Sequence, residues 1–298
     1  MRRGLRRLRG WSCSRPASES VRSEAIREVK KAEGIEQNRQ YRVLRYKQGA
    51  VTPVERQVVQ EYPLRLEVNG RDLATLIASP HQLNFLVVGF LRLQGFIQGL
   101  DDILSLGVCD DFGAARVRIR GEIPERLSLT LTSGCGSGIS FQLPSFPPKT
   151  AASDEPRTRY TPQQVFTLMR ELSERAENYR AHGGIHSAAV GDGQQLLIYS
   201  EDLGRHNTLD RIAGEALFKN LDLHGKLLVT SGRVSTEMVA KAVRLGIVLI
   251  ASRTSPTDMV IKMSEQAGIT LLGYVRGDAF EVYSHAQTLE MAVEPGTP

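Results

Sequence analysis

From Tyr160 onward the chain repeats one pattern: a short apolar run, a loop of small polar residues, then an amphipathic stretch at helical spacing. The runs Ala188–Val190, Gln195–Tyr199, Lys226–Thr230, Ile247–Ile250 and Thr270–Tyr274 read as strands. Between them, helices are expected from Thr161-Pro162 to about Tyr179, then over Thr208–Phe218, Ser235–Leu245 and Pro256–Ala267. Such alternation implies an α/β fold, with a largely parallel sheet covered by helices on both faces.

The segment before it has a different rhythm. Tyr41–Tyr46 alternates, Val54–Val59 and Pro63–Val68 follow, and Asn69-Gly70 between apolar runs marks a tight turn. Ser79-Pro80 is expected to cap a helix through Leu83–Leu93, apolar enough to be buried, and Ala115–Ile119 and Leu127–Thr132 read as strands. The expected organisation is a basic lead-in over residues 1–40, a small α+β domain over 41–131, a cysteine loop and mobile linker over 132–160, and an α/β domain over 161–298. The linker reading rests on four prolines and no periodicity between Leu143 and Arg159.

The net charge of +5 belongs to one end. Residues 1–18 hold six arginines and no acid, so the remainder stands at −1. That argues against a nucleic-acid-binding body and leaves the start as a disordered extension, a transit peptide or a polyanion-binding arm. No apolar run reaches the roughly 18 residues of a membrane span. Cys13, Cys109 and Cys135 form neither an even disulfide set nor a C-x-x-C pair. That suits a reducing, cytoplasmic setting and excludes the usual structural zinc spacings. Cys109 reads as a small buried hydrophobe at a strand end.

Cys135 is different. In Thr132-Ser-Gly-Cys-Gly-Ser-Gly138 its neighbours carry almost no side chain, and glycine-loop N–H groups can favour a thiolate. The residues alone leave two readings open: a reactive sulfur, or a tight turn with an incidental thiol. A second cluster lies where the apolar runs of the later segment end. Ser200–Asn207, Ser231–Glu237 and Ala251–Pro256 each lead into a helix and each carries an arginine: Arg205, Arg233 and Arg253. Helix N-termini with arginines suit a phosphorylated ligand. Plain N-caps, with the arginines paired to Glu237, Asp202 or Asp258, are the alternative. His206 and His186 are candidates to face the same cleft.

Glu61-Tyr-Pro-Leu, Asn69-Gly, Ser79-Pro, Gly183-Gly-Ile-His, Glu201–Asn207, Ser231–Met238, Val275–Asp278 and Val282–His285 together resemble the FdhD family of formate dehydrogenase accessory proteins. The resemblance implies a sulfurtransferase that accepts sulfur as a persulfide on Cys135 from a cysteine desulfurase. It would pass that sulfur to the molybdenum bis(guanine dinucleotide) cofactor before insertion into formate dehydrogenase. The resemblance places Ile250, Ala251, Ser252, Arg253, Thr254 and Ser255 at the guanine-nucleotide position, which agrees with the anion-binding reading that sets Arg205, His206, Ser231 and Arg233 around the phosphates. It also implies a cytidine-deaminase-like domain without zinc ligands, and a two-fold dimer is expected. Where many relatives carry a second cysteine three residues on, this chain has Gly138, so transfer would rest on Cys135 alone. A non-catalytic chaperone that binds and delivers the cofactor is the alternative.

Overall fold

The computed structural model describes residues 38–109, 113–123, 130–131, 139–140 and 159–291. The later part is built on a six-stranded sheet, ordered β10-β9-β11-β12-β13-β14. Its strands are β9 His186–Gly191, β10 Leu196–Asp202, β11 Leu227–Thr230, β12 Leu249–Ser252, β13 Thr270–Arg276 and β14 Ala279–Ser284. The sheet is mixed, which corrects the largely parallel one expected: only β11, β12 and β13 run parallel. Connection length explains the difference, because a parallel pair needs a crossover of a dozen or more residues. Four residues link β9 to β10, with Asp192 accepting from the N–H groups of Gln194 and Gln195. Two residues, Gly277 and Asp278, link β13 to β14.

The strand residues alternate between two cores. Ala188, Val190, Ile198, Leu228, Ile250 and Leu271 face one cluster, which holds side chains of α4 (Arg205–Lys219), α5 (Thr236–Arg244) and α6 (Asp258–Ala267). Ala189, Leu196, Leu227, Val229, Leu249, Ala251 and Leu272 face the other, against α2 (Pro162–Arg175). The chain is therefore α/β with helices on both faces of this sheet. Thr161 caps α2 through a reciprocal capping box with Gln164. The helix breaks at Ala176, whose ψ of 64° is not helical, before the short α3 (Glu177–His182).

A four-stranded sheet, β4-β3-β6-β5, precedes it: β3 Tyr62–Val68, β4 Arg71–Ala78, β5 Ile103–Cys109 and β6 Ala114–Ile119. Its apolar face packs on α1, Leu83–Leu93, of which every residue but Arg92 is buried. A helix apolar all round must be covered all round. Here the second cover is α4. A Cβ on Gly89 would lie 1.6 Å from the Asp210 carbonyl oxygen, and one on Gly214 2.0 Å from that of Phe85, so the two helices cross backbone to backbone.

Two local expectations are corrected. Ser79 does not cap α1, whose N-cap is Gln82 in a left-handed conformation with no side-chain cap. Its hydroxyl instead accepts from the N–H of Leu203 at 3.2 Å, 124 residues away. Cys109 ends β5 as expected but is exposed, because it lies on the open face of the small sheet. Finally, β1 (Asn38–Lys47) and β2 (Ala50–Val59) form a separate two-stranded hairpin.

Candidate functional site

Strand register assembles the site. Asp202 at the end of β10 lies opposite His186 at the start of β9, Ala188 opposite Thr230, and Thr230 beside Ser252. Three strand ends and one strand start therefore share one edge. The chain leaves it through Gly204 into α4, through Ser231–Ser235 into α5 and through Arg253–Thr257 into α6. The N-caps Gly204 and Thr257 make no side-chain cap bond to the first turns of α4 and α6. Only α5 is capped, by Ser235 Oγ accepting from Met238 N.

The loops are bonded to one another. Ser231 N donates to Ser187 O and Ser187 N to Ser231 Oγ, each at 2.9 Å. Ser252 Oγ donates to Gly232 O at 2.9 Å and Arg253 N to Thr230 O at 3.2 Å. At their meeting point a Cβ on Gly232 would lie 3.1 Å from His186 Nδ1 and 3.3 Å from Arg205 Cβ. Glycine there lets the imidazole and the base of the arginine close over the loop. Burial first, then the positive charges of Arg205 and Arg233, hold His186 below its ordinary pKa, against the pull of Asp202. The edge thus presents a neutral imidazole, a buried guanidinium and the exposed Arg233, with no carboxylate paired to Arg233 among the described residues. Chemically this is a surface for an anion with polar groups attached, such as a phosphate ester.

The expected residues divide on inspection. Arg205, Ser231 and Arg233 stand on this edge, and His186 with them. Ile250 and Ala251 are fully buried on opposite faces of β12, so their side chains serve the two cores and residues able to meet a ligand begin after them. The Ser252 hydroxyl is engaged with Gly232 O and with Thr254 N. Arg253 turns towards α2, where its Nη1 donates to Ser173 Oγ at 3.1 Å, while Thr254 and Ser255 are half-buried in the loop. His206 is not ahead of the helix as expected but inside the first turn of α4, and buried. Asp202 is paired with Arg211 at 2.6 Å and Asp258 with Lys262 at 3.8 Å, so neither takes a site arginine. Cys135 and its loop lie outside the described residues. The strands on either side, β7 Thr130–Leu131 and β8 Ile139–Ser140, pair Leu131 with Ile139.

One group of residues was missed in the sequence. Lys241 Nζ donates to Asp210 Oδ2 at 2.8 Å and lies 3.1 Å from Glu237 Oε1, all three side chains being almost wholly buried. Glu237 Oε2 lies 3.4 Å from His206 Nδ1, and His206 Nε2 lies 2.8 Å from Ser235 Oγ. A carboxylate only accepts, so Nδ1 carries the imidazole proton. Nε2 then accepts from the Ser235 hydroxyl, which is also the α5 cap. Burial holds His206 down at about 3 and pushes Asp210 up to about 6, and the two carboxylates outweigh burial to keep Lys241 charged. The chain Asp210–Lys241–Glu237–His206–Ser235 ties α4 to the loop that carries Arg233. The i,i+4 spacing of Glu237 and Lys241 was its only sequence signal.

A family model described as the FdhD/NarQ family matches residues 59–290. Proteins named sulfur carrier protein FdhD from Staphylococcus aureus and Bacillus subtilis are each 33% identical to this chain. Each match covers 83% of this chain, and 94% and 95% of those relatives. A crystal structure of a candidate formate dehydrogenase accessory protein from Desulfotalea psychrophila shares the fold, with a TM-score of 0.70, 23% identity and coverage of 85% of this chain and all of that one. With a family match spanning both sheets and every loop at the edge just described, the chain belongs to the FdhD/NarQ family.

Proposed function

We propose that this protein is a sulfur carrier acting in formate dehydrogenase maturation, with Cys135 as the carrying atom and the strand-end edge as the seat of the acceptor. The donor is a cysteine desulfurase, and the acceptor substrate is the molybdenum bis(guanine dinucleotide) cofactor. Setting, on this reading, is the cytoplasm; among the described residues no helix is long and apolar enough to cross a membrane. The thiolate of Cys135 attacks the outer sulfur of the donor's persulfide, whose S–S bond breaks to release the donor's thiolate. The acceptor then supplies an electron pair to that outer sulfur, and the new S–S bond breaks back onto Cys135. Each step is one displacement, so no second loop thiol is required at Gly138.

The observation that carries the acceptor half is the convergence of His186, Gly232, Arg205 and Arg233 at one sheet edge, in a family whose named relatives are sulfur carriers. The nucleotide ends of the acceptor bear pyrophosphates, which guanidinium groups and helix N-termini recognise. The test is Cys135→Ala in a host lacking its own copy. The variant should fold and still bind guanosine diphosphate, yet leave formate dehydrogenase inactive. Full formate dehydrogenase activity with the variant would favour the non-catalytic chaperone.

A further inference from the structure

Tyr274 takes a backbone conformation that a bulky side chain rarely holds, with φ at 52°. A bulge at the end of β13 accompanies it. Gly273 pairs with Glu281 and Arg276 with Ala279, so three steps along β13 answer two along β14 and one residue is extra. Bulges re-aim side chains and gather beside ligand sites. Here the side chain is left open: Tyr274 is 41% exposed. Outside the β1–β2 hairpin, it is the only aromatic among the exposed large apolar side chains of the described residues. Backbone strain of this kind persists where the surroundings fix it, and it collects at ligand clamps.

The surroundings are those of the strand-end edge. Ala251 of β12 lies beside Leu272 of β13, so Tyr274 follows at the level where the chain leaves β12. Its N–H donates to Thr254 O at 3.4 Å. A Cβ on Gly273 would lie 3.2 Å from both Thr254 O and Pro256 Cδ, so the Arg253–Thr257 loop runs close over the bulge. Arg276 Nε donates to Arg253 O at 3.4 Å, and its guanidinium carbon stands 6.0 Å from the Tyr274 ring centroid. The ring therefore stands beside the loop that follows β12, with a cation at hand. Arg233 follows β11, and β12 lies between β11 and β13. At a strand spacing of roughly 4.8 Å, the strands carrying the arginine loop and the tyrosine are about 10 Å apart. In a nucleotide, a ribose separates the base from the diphosphate and bridges a gap of that order. An exposed aromatic ring receives a base by stacking, whichever base it is, because every base has a π-face.

We propose that Tyr274, flanked by Arg276, is the platform on which the base of a bound nucleotide stacks, while the arginines of the edge take its phosphates. The proposal rests on the edge being a nucleotide seat and assigns the residue that holds the base.

Calorimetry on the full chain with two probes separates these parts: guanosine diphosphate, and inorganic pyrophosphate, which has no base. Tyr274→Ala should weaken guanosine diphosphate binding about tenfold, within what stacking of one base supplies, and leave pyrophosphate within about twofold. Tyr274→Phe keeps the ring and should stay within about twofold of wild type for both. Tyr274→Gly relieves the positive φ, so its urea midpoint should equal or exceed that of wild type while its guanosine diphosphate affinity falls as in Tyr274→Ala. A sound fold with lost affinity is a pairing that a merely structural tyrosine would not give. Arg233→Ala should weaken both probes. If Arg233→Ala weakens both and Tyr274→Ala neither, the edge remains the nucleotide seat and the stacking role is overturned. Equal losses of both probes in Tyr274→Ala would overturn it too, by showing a general disturbance of the edge. If wild type binds neither probe, the nucleotide reading of the edge falls and the proposal falls with it.

Discussion

Replacing Lys241 with methionine keeps the aliphatic stem and removes the ammonium from a site where it lies 2.8 Å from Asp210 and 3.1 Å from Glu237. Both carboxylates are buried, so neither regains water when its partner is lost. Breaking a buried ion pair from one side costs about 3–5 kcal/mol. With a urea m-value of about 2–3 kcal/mol/M, the unfolding midpoint should drop by roughly 1–2.5 M at pH 7.5. The deficit should also depend on pH. Burial already pushes Asp210 up to about 6 with Lys241 in place, and without Lys241 it rises further. A carboxyl whose native pKa lies above its unfolded value costs stability as pH rises through the native pKa, and that stability returns as pH falls. The deficit should therefore shrink by up to about 1.4 kcal/mol per pH unit between pH 7.5 and 6.0, below which wild-type Asp210 takes up its own proton. Urea unfolding of wild type and Lys241→Met at the two pH values reads both effects. A deficit below about 1 kcal/mol, or one equal at both pH values, would refute the reasoning; an ordinary packing defect would be pH-independent.

Further predictions concern neighbouring residues. His206 is held neutral, at about 3 against an ordinary 6.5, so its contribution to stability is present above pH 6.5 and lost as pH falls towards 3. His206→Gln should accordingly keep a larger share of its neutral-pH stability at pH 5.0 than wild type does; equal shares in urea titrations would remove His206 from the account. Gly232→Ala must push His186 and Arg205 apart by a few tenths of an ångström. It should weaken guanosine diphosphate binding about tenfold in calorimetry without unfolding the protein, and an unchanged affinity would show that the edge is not the nucleotide seat. Arg233→Ala, at an exposed position, should lower the same affinity while thermal stability stays within about 0.5 kcal/mol. Gly214→Ala places a methyl on the Phe85 carbonyl oxygen and should cost at least the roughly 1–3 kcal/mol of an overpacked core, read as a lower urea midpoint.

Much of the fold can be read before any coordinates, and the misreadings have physical causes. The alternation of Leu227–Thr230 and Leu249–Ser252 with amphipathic helices announces strands under helices on both faces. Strand direction is not written in apolar periodicity. It is set by whether the chain has room to cross, and the short Asp192–Gln195 and Gly277-Asp278 links deny that room to β10 and β14. Ser79-Pro80 has the composition of a helix start, but a buried contact with Leu203 and Asp202 outweighs a cap. The arginines at the strand ends stand out in the sequence. Their different uses do not: Arg253 bends to Ser173 while Arg233 faces solvent, and only packing decides that. Ile250 and Ala251 belong to a motif by resemblance and to the cores by burial. The pairing of Asp210 with Lys241 spans 31 residues, beyond the reach of any local pattern.

The central claim is that Cys135 carries a sulfur atom. Incubating the protein with a cysteine desulfurase and free cysteine, then digesting without reductant, allows the peptide that contains Cys135 to be weighed. That peptide should gain the mass of one sulfur atom, lose it on treatment with a thiol, and gain nothing in the Cys135→Ala variant. A peptide that stays at its unmodified mass while the desulfurase turns over, or an added sulfur found on Cys13 or Cys109 instead, would contradict the account.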